Sequence, residues 1–507
     1  MNVGSYVARA ARFFSERIAV IDGDRSVSFS TLEDRTNRLA HALAARGVRL
    51  GDRVAIILPN SLEWIEADFA VAKAGGMSVP ITTRLHEREM AAMLTISETS
   101  AVITTPEILA RLEPLVDVSA MARILVGPTG ADGYEDAVAG ASSSPICVEV
   151  DEARDGRVMR FTSGTTGKPK AVYLTHRNWI AVAHNTLLDR FNLQKGDVFL
   201  GTSPYAHAGG LWILPSLMRG ATIRNLERLD PEALVALIEK GECTMLQLVP
   251  TALRRILDLP RIREADLSRL RAISYGGAPI EGSTLREALD VIGHKLVQGY
   301  GLNEAAIVCT LPPEEHGVAL SHRGWQQPLG REVLMAEVAI MGPDGRPVPD
   351  GEVGEIAIRG PMVFTHYWKN PEATAQAIRE GGYFWTGDLG LRGENGFIYI
   401  AGRSKDIIVT GGYNVSPDEV EAVVDQHPAV RQCAVVGLPD REWGETVTAF
   451  VILMPGAQAS EADIIDFCRE RLTSYKKPKA VRFVESLPVN SNGKVMRRLI
   501  RENLASE

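Results

Sequence analysis

The chain has 507 residues and a formal net charge of −8, from 55 Lys and Arg against 63 Asp and Glu. That length is more than one hydrophobic core organises, so at least two domains are expected, and the acidic balance excludes a general nucleic-acid binder without excluding phosphate ligands, which need only local donors. The five cysteines (Cys147, Cys243, Cys309, Cys433 and Cys468) are scattered and form no CxxC pair, which excludes a disulfide framework or a zinc centre and suits a reducing, cytoplasmic compartment.

The N-terminus carries Arg9, Arg12, Glu16 and Arg17 in place of an apolar signal core, and no later run reaches the length of a transmembrane helix. Residues 54–58, 78–80, 101–104 and 123–126 read as short buried strands. Residues 62–73 read as a helix stopped by Gly75-Gly76. The pattern recurs at 158–161, 221–224, 244–249, 271–275 and 295–298, and Asp230-Pro231 supplies a cap and first turn for a helix to Lys240. Strands alternating with helices predict parallel sheets covered by helices, here two βα layers in one large α/β domain. From about 330 to 400, runs at 337–341 and 355–359 pair around turns such as Gly342-Pro343-Asp344-Gly345, which predicts a small antiparallel β-region. Beyond Arg403 a compact α+β pattern begins. It has a strand at 406–409, a helix opened by Ser416-Pro417-Asp418-Glu419 as a capping box, strands at 429–438 and 446–453, and a helix at 462–472. The boundary is placed between Ser404 and Lys405, giving domains of residues 1–404 and 405–507.

The run Thr162-Ser163-Gly164-Thr165-Thr166-Gly167-Lys168-Pro169-Lys170 follows the strand at 158–161. Its two glycines let the backbone turn and expose N–H groups; four hydroxyls and two lysines add donors suited to a polyphosphate. It is not a Walker A loop, which needs four residues between its glycines and Ser or Thr after the Lys. The ordered string resembles the signature loop of the adenylate-forming superfamily, which includes acyl-CoA synthetases, luciferases and peptide-synthetase adenylation domains. Ala171 stands where that family usually has glycine.

The resemblance continues in order along nearly the whole chain. Gly276-Gly277-Ala278-Pro279 is similar to the family's adenine-side segment. Tyr300-Gly301-Leu302-Asn303-Glu304 resembles the segment that stacks an aromatic ring on adenine and places a carboxylate on magnesium. That implies Tyr300 as the ring, Glu304 as the Mg²⁺ ligand, and Asn303, where threonine is usual, as a donor to phosphate. Trp385-Thr386-Gly387-Asp388 resembles the ribose segment, with Asp388 as acceptor for the diol. Gly402-Arg403-Ser404-Lys405 resembles the hinge, with Arg403 on ribose or phosphate and Lys405 as pivot. Gly411-Gly412 resembles the turn lining the thiol tunnel for coenzyme A, and Asn490-Ser491-Asn492-Gly493-Lys494 the catalytic-lysine loop. His207, in Pro204-Tyr205-Ala206-His207-Ala208-Gly209-Gly210, matches the position beside the acyl carboxylate.

The resemblance implies two half-reactions with ATP, Mg²⁺ and coenzyme A. The acid attacks the α-phosphorus and releases pyrophosphate, with Lys494 bridging the two anions; the thiol then attacks the acyl-adenylate and releases AMP after the C-terminal domain rotates about Lys405. Amino-acid-activating relatives carry an aspartate after the histidine. Ala208 stands there, so an amino acid is disfavoured. Apolar Leu211, Trp212 and Ile307, with Gly209, Gly210 and Gly276 leaving room, indicate a fatty acid of medium or long chain, with an aromatic acid as the alternative. A ligase loading a carrier protein, a luciferase-like oxygenase and a catalytically inactive nucleotide-binding homologue are the other readings. Arg254, Arg255, Arg261 and Arg263 read as a solvated helix face in preference to a lipid-binding patch, and a homodimer is left open.

Overall fold

The computed structural model describes the chain except residues 128, 163–168, 227–228, 281, 322–325, 490–494 and 505–507. A large N-terminal domain carries two sheets, and a small C-terminal domain carries a third. In the first sheet the strands Ala122–Leu125, Ala101–Thr104, Arg53–Ile56, Met77–Pro80 and Gly156–Thr162 run parallel. Lys170–Thr175 and His366–Tyr367 then extend it antiparallel. The helix Leu62–Lys73, read to the residue from the sequence, is buried at every position and packs against strands of both sheets. Such a helix can carry charge only if the charge is paired. Accordingly Asp68 receives Arg157 at 2.5 Å, Glu66 receives Arg35 at 2.5 Å, and Lys73 donates to Glu33 at 2.6 Å.

The second sheet has a parallel centre formed by Leu296–Leu302, Ala272–Gly276, Met245–Leu248, Val198–Gly201, Thr222–Asn225 and Ile18–Asp22. The expected antiparallel region is present but is not a separate layer. Gln327–Glu332 pairs with both Ala306–Leu311 and Ile398–Arg403, so the antiparallel strands prolong the same sheet. This matters for the site, because it brings 384–403 beside the carboxyl ends of the parallel strands.

Beyond Arg403 the turn Ser404–Asp406 leads into a third sheet of Tyr413–Val415, Ile408–Thr410, Gly444–Leu453, Val430–Asp440 and Ala480–Phe483, with its own apolar core around Val420, Val435, Ala449 and Ile464. The turn starts this strand at Ile408, two residues later than expected. The capping box expected at Ser416 is absent: the helix Pro417–Val424 begins there, but the serine hydroxyl donates to the Ala401 carbonyl at 3.0 Å. A tertiary acceptor outcompetes the local cap. All five cysteines are free thiols. Among the described residues no helix is long and apolar enough to cross a membrane. Arg254 and Arg263 share Glu287, and Arg261 pairs with Glu239.

Candidate active site

The site is assembled where the parallel strands end, the usual ligand position in open α/β sheets. Gly276 and Gly299 face each other in register. A Cβ on Gly276 would collide with the Gly299 carbonyl, so the first glycine is dictated by strand-to-strand approach. The same is true of Gly209 and Gly210, whose Cβ positions are filled by the carbonyls of Ser203 and Tyr205. These three glycines therefore do not hold open space for a substrate, which corrects the reason given for them from sequence. Gly277, at φ 81°, does face open space and begins the turn through Ala278 and Pro279.

Tyr300 is buried and donates its hydroxyl to Asp388 Oδ2 at 2.7 Å. Burial, with Asp388 next to it, pushes the phenol well above its ordinary ionisation range, so it stays a donor. Arg403 Nε lies 2.6 Å from Asp388 Oδ1, the two residues being register partners on neighbouring antiparallel strands. Three residues far apart in sequence thus form one ion-paired cluster. Oδ2 accepts from Tyr300, whereas Oδ1, though ion-paired with Arg403, is buried and accepts no hydrogen bond among the described residues, so a lone pair there is left for a diol.

Asn303 and Glu304 occupy the tip between Leu296–Leu302 and Ala306–Leu311. The turn is tight: Gly301 faces the Ala306 carbonyl with no room for a Cβ, and Ala306 adopts φ 49°, a strained angle for a residue with a side chain. The tip is tied to the phosphate hairpin. Asn303 Nδ2 donates to the Phe161 carbonyl at 2.8 Å, one residue before Thr162, which spends one of its two N–H donors on the hairpin. Glu304 is 8% exposed and accepts from Tyr367 at 2.8 Å; Lys170 Nζ sits 4.9 Å from the centre of the Tyr367 ring. Burial raises the Glu304 carboxyl, opposed by the Tyr367 hydrogen bond and then by Arg403 and Lys170. Thr162 and Lys170 pair across the hairpin. Ser163, Gly164, Thr165, Thr166, Gly167 and Lys168 lie outside the described residues, as does Lys494.

His207 opens the short turn Ala208–Trp212. Its Nε2 is buried with no hydrogen-bond partner among the described residues, and burial, then Arg160 and Arg84, push its pKa down to about 4. The ring is neutral at pH 7 and presents a free polar atom to whatever enters. Arg160, on the strand leading into the phosphate hairpin, is 5% exposed, and its Cζ sits 5.9 Å from the Trp179 ring. Burial lowers its pKa to about 10, with Glu304 pulling the other way. Sequence reading missed Arg160, although one charge in the apolar run Val158-Met159-Arg160-Phe161 was a visible signal. It also missed Tyr367, for which the sequence held none.

Of the expected acyl-pocket residues, Ile307 lies in front of Gly299. Leu211 is buried, and Trp212 packs between Phe191 and Phe199 with its indole N–H on Gln247 Oε1 at 2.8 Å. In the C-terminal domain, Gly411 adopts φ 58° against the Trp443 ring and Gly412 adopts φ 82° with nothing beside it. Lys405 lies in the Ser404–Asp406 turn, where partial burial and then Arg403 lower its pKa. Among the described residues no group of three His, Cys, Asp or Glu forms a metal cage, so Glu304 fits a cation only together with oxygens from a ligand.

The model of the AMP-binding enzyme family matches residues 7–368, and that of the AMP-binding enzyme C-terminal domain matches residues 419–494. The chain is 36% identical over 503 residues to a feruloyl-CoA synthase of an Amycolatopsis species, covering 99% of this chain and 98% of that one. It is 33% identical over 490 residues to the long-chain-fatty-acid–CoA ligase FadD13 of Mycobacterium tuberculosis, covering 95% and 94%. The structure of ATP-bound MatB from Rhodopseudomonas palustris matches with a TM-score of 0.90 at 31% identity over 99% of each chain.

Proposed function

This chain belongs to the AMP-binding enzyme family and is an ATP-dependent acid–CoA ligase, and we propose that the cluster Tyr300–Asp388–Arg403, joined to Glu304 and the phosphate hairpin, is where it forms an acyl-adenylate. The observation that carries this reading is the direct tie between tip and hairpin through Asn303 to Phe161 and Tyr367 to Glu304. It supports reading the expected adenine-side, ribose-side and phosphate-side groups as one site.

In the first step an oxygen of the acid bonds to the α-phosphorus of ATP as the bond to pyrophosphate breaks. Two anions must meet, so the chain has to supply positive charge and donors. We assign this to Lys494 with Lys168, Lys170 and Arg160, while His207 offers its free ring nitrogen to the acid. Mg²⁺ would be held by Glu304 together with phosphate oxygens, and when bound offsets phosphate charge; the raised carboxyl of buried Glu304 suits a cation there. In the second step the thiolate of coenzyme A bonds to the acyl carbon and AMP leaves. Rotation of residues 405–507 about Lys405 would withdraw Lys494 and bring the Gly411-Gly412 turn to the site, as a few hinge dihedrals suffice for such a motion. The free cysteines favour a cytoplasmic setting.

For the acid, the fatty-acid reading rests on apolar Leu211, Trp212 and Ile307. Leu211 and Trp212 are closed into the core, and Trp212 is committed to Gln247. That supports a compact acid over a long alkyl chain. The test is a panel of acids varied in length, aromaticity and charge, with AMP release measured with and without coenzyme A. At least one acid should give release that depends on coenzyme A; if none does, the ligase reading fails. In the same assay Lys494→Ala is expected to lower pyrophosphate release by about 100-fold or more yet still convert supplied acyl-AMP to thioester. Equal loss of both steps would remove Lys494 from the role given to it.

A further inference from the structure

Beside Gly299 lies a cation that no carboxylate among the described residues answers. The helix His176–Asn185 continues into a wider π turn, Thr186–Arg190, a distortion that re-aims side chains and recurs at functional sites. Arg190, its last residue, is 8% exposed. One of its amino groups donates to Ser274 Oγ at 2.6 Å, while its Nε is buried without a partner among the described residues. The Phe191 and Trp212 rings each lie 5.3 Å from its Cζ. Burial lowers its pKa to about 9, and no neighbouring charge among the described residues opposes that. A lone buried guanidinium is costly, and the group that best satisfies one is a carboxylate taken in the plane of its fork.

The position of this cation is specific. Ser274 lies two residues before Gly276 on one strand, so both face the same side of the sheet. Gln247 is the register partner of Ser274 and shares that side. A Cβ on Gly299 would sit 2.6 Å from an Arg190 amino group and 3.3 Å from Ile307 Cδ1. Arg190 and Ile307 therefore sit in front of Gly299, with Trp212 beside Arg190, among the residues expected from sequence to line the acyl group. Ser274 and Gln247 put two buried polar side chains side by side there.

Resting on the ligase reading above, we propose that Arg190, held by Ser274, determines specificity by receiving a second carboxylate at the far end of the acid, so that the preferred substrate is a dicarboxylic acid activated at one end and anchored at the other. The distal carboxylate forms only an ion pair and exchanges no bond. Its reacting partner is left for the nucleotide, on the side of His207 and Arg160.

The test compares matched acids, straight-chain and ring-containing, each with and without the second carboxylate. Two readouts are used: CoA-dependent AMP release, and the rise in Tm given by each acid alone. The unaltered enzyme should favour the dicarboxylic member by roughly 10- to 100-fold in kcat/KM. Arg190→Met should erase that preference in both readouts, Arg190→Lys should restore part of it, and Ser274→Ala should reduce it several-fold with the charge still in place. A preference for monocarboxylic acids in the unaltered enzyme, or a dicarboxylic preference that survives both Arg190→Met and Ser274→Ala, overturns the proposal. If Arg190→Met fails to fold, Ser274→Ala decides. If no acid gives CoA-dependent AMP, the ligase reading fails by itself. The Tm readout still judges Arg190: a rise with dicarboxylates that is lost in the variants supports the site, and an equal rise overturns it.

Discussion

Arginines withdrawn from solvent are kept in opposite ways in the two domains. In the C-terminal domain, Arg497 faces Asp406 at 3.4 Å and Glu421 at 2.7 Å and also pairs with Asp418. Burial alone would lower its pKa, but Glu421 and Asp418 more than reverse this and raise it. In the N-terminal domain, Arg190 and Arg160 are more deeply buried and have no such company, and both are lowered. The same domain pairs a cation well when the role is structural: Arg157 meets Asp68 at 2.5 Å and Ser78 at 2.9 Å. Among the described residues the chain spends three carboxylates on Arg497, only the through-space pull of Glu304 on Arg160 and none on Arg190, which leaves the last two open to something outside the chain. In an enzyme of anionic substrates, that something is an anion.

The largest expected effect lies on the saturated side. Arg497→Met leaves Asp406, Asp418 and Glu421 facing one another in a partly buried setting. Breaking such a pairing is expected to cost about 3–5 kcal/mol, read as a fall in the urea midpoint of the C-terminal domain. A variant as stable as the unaltered chain would collapse the contrast, because it would show that pairing does not distinguish a structural arginine.

Next comes the unsaturated side. Arg160→Met should leave Tm unchanged or raise it, since it removes a buried charge that has no hydrogen-bonded carboxylate among the described residues and feels only the through-space pull of Glu304. Pyrophosphate release should fall by about 100-fold, the scale for losing one donor at a developing charge. Here stability and activity move in different directions, which a purely structural cation could not produce. A lower Tm with activity intact would return Arg160 to the core.

The contrast also explains what the sequence could reveal. The helix Leu62–Lys73 was legible to the residue because its signals are local: Ser61 accepts from the Trp64 N–H at 3.2 Å, and Gly75 turns away at φ 82°. Asp388, Arg403 and Tyr300 were legible as ordered motifs, though not their mutual contacts. Ser416 was misread because its cap partner lost to the Ala401 carbonyl, a distant residue. Gly276 was singled out for a mistaken reason, since only the Gly299 carbonyl across the sheet shows why it lacks a side chain. Arg190 was invisible. An arginine in a sequence carries no mark of whether a carboxylate waits for it, because pairing is decided in three dimensions.

The smallest expected effect concerns a group that resolves the same problem by giving up its proton. His176 is fully buried, with Nδ1 accepting from the Val3 N–H at 3.0 Å. That bond assigns the ring proton to Nε2, which has no partner. Burial, then Arg157 and the N-terminal amine, push its pKa down to about 3. Protonating Nδ1 would set two donors against each other in a dry place. A base with a depressed native pKa favours folding above its unfolded value of about 6.5, and that contribution is lost as pH falls from there toward 3. At pH 5.5 the loss is about 1 kcal/mol, small beside the arginine effects. His176→Asn retains an acceptor for Val3 and cannot titrate. Tm measured from pH 7 to pH 5 should therefore fall less steeply in this variant than in the unaltered chain. Equal slopes would mean that His176 charges at little cost, and that this part of the core tolerates an unanswered cation, which is what the reading of Arg160 and Arg190 denies.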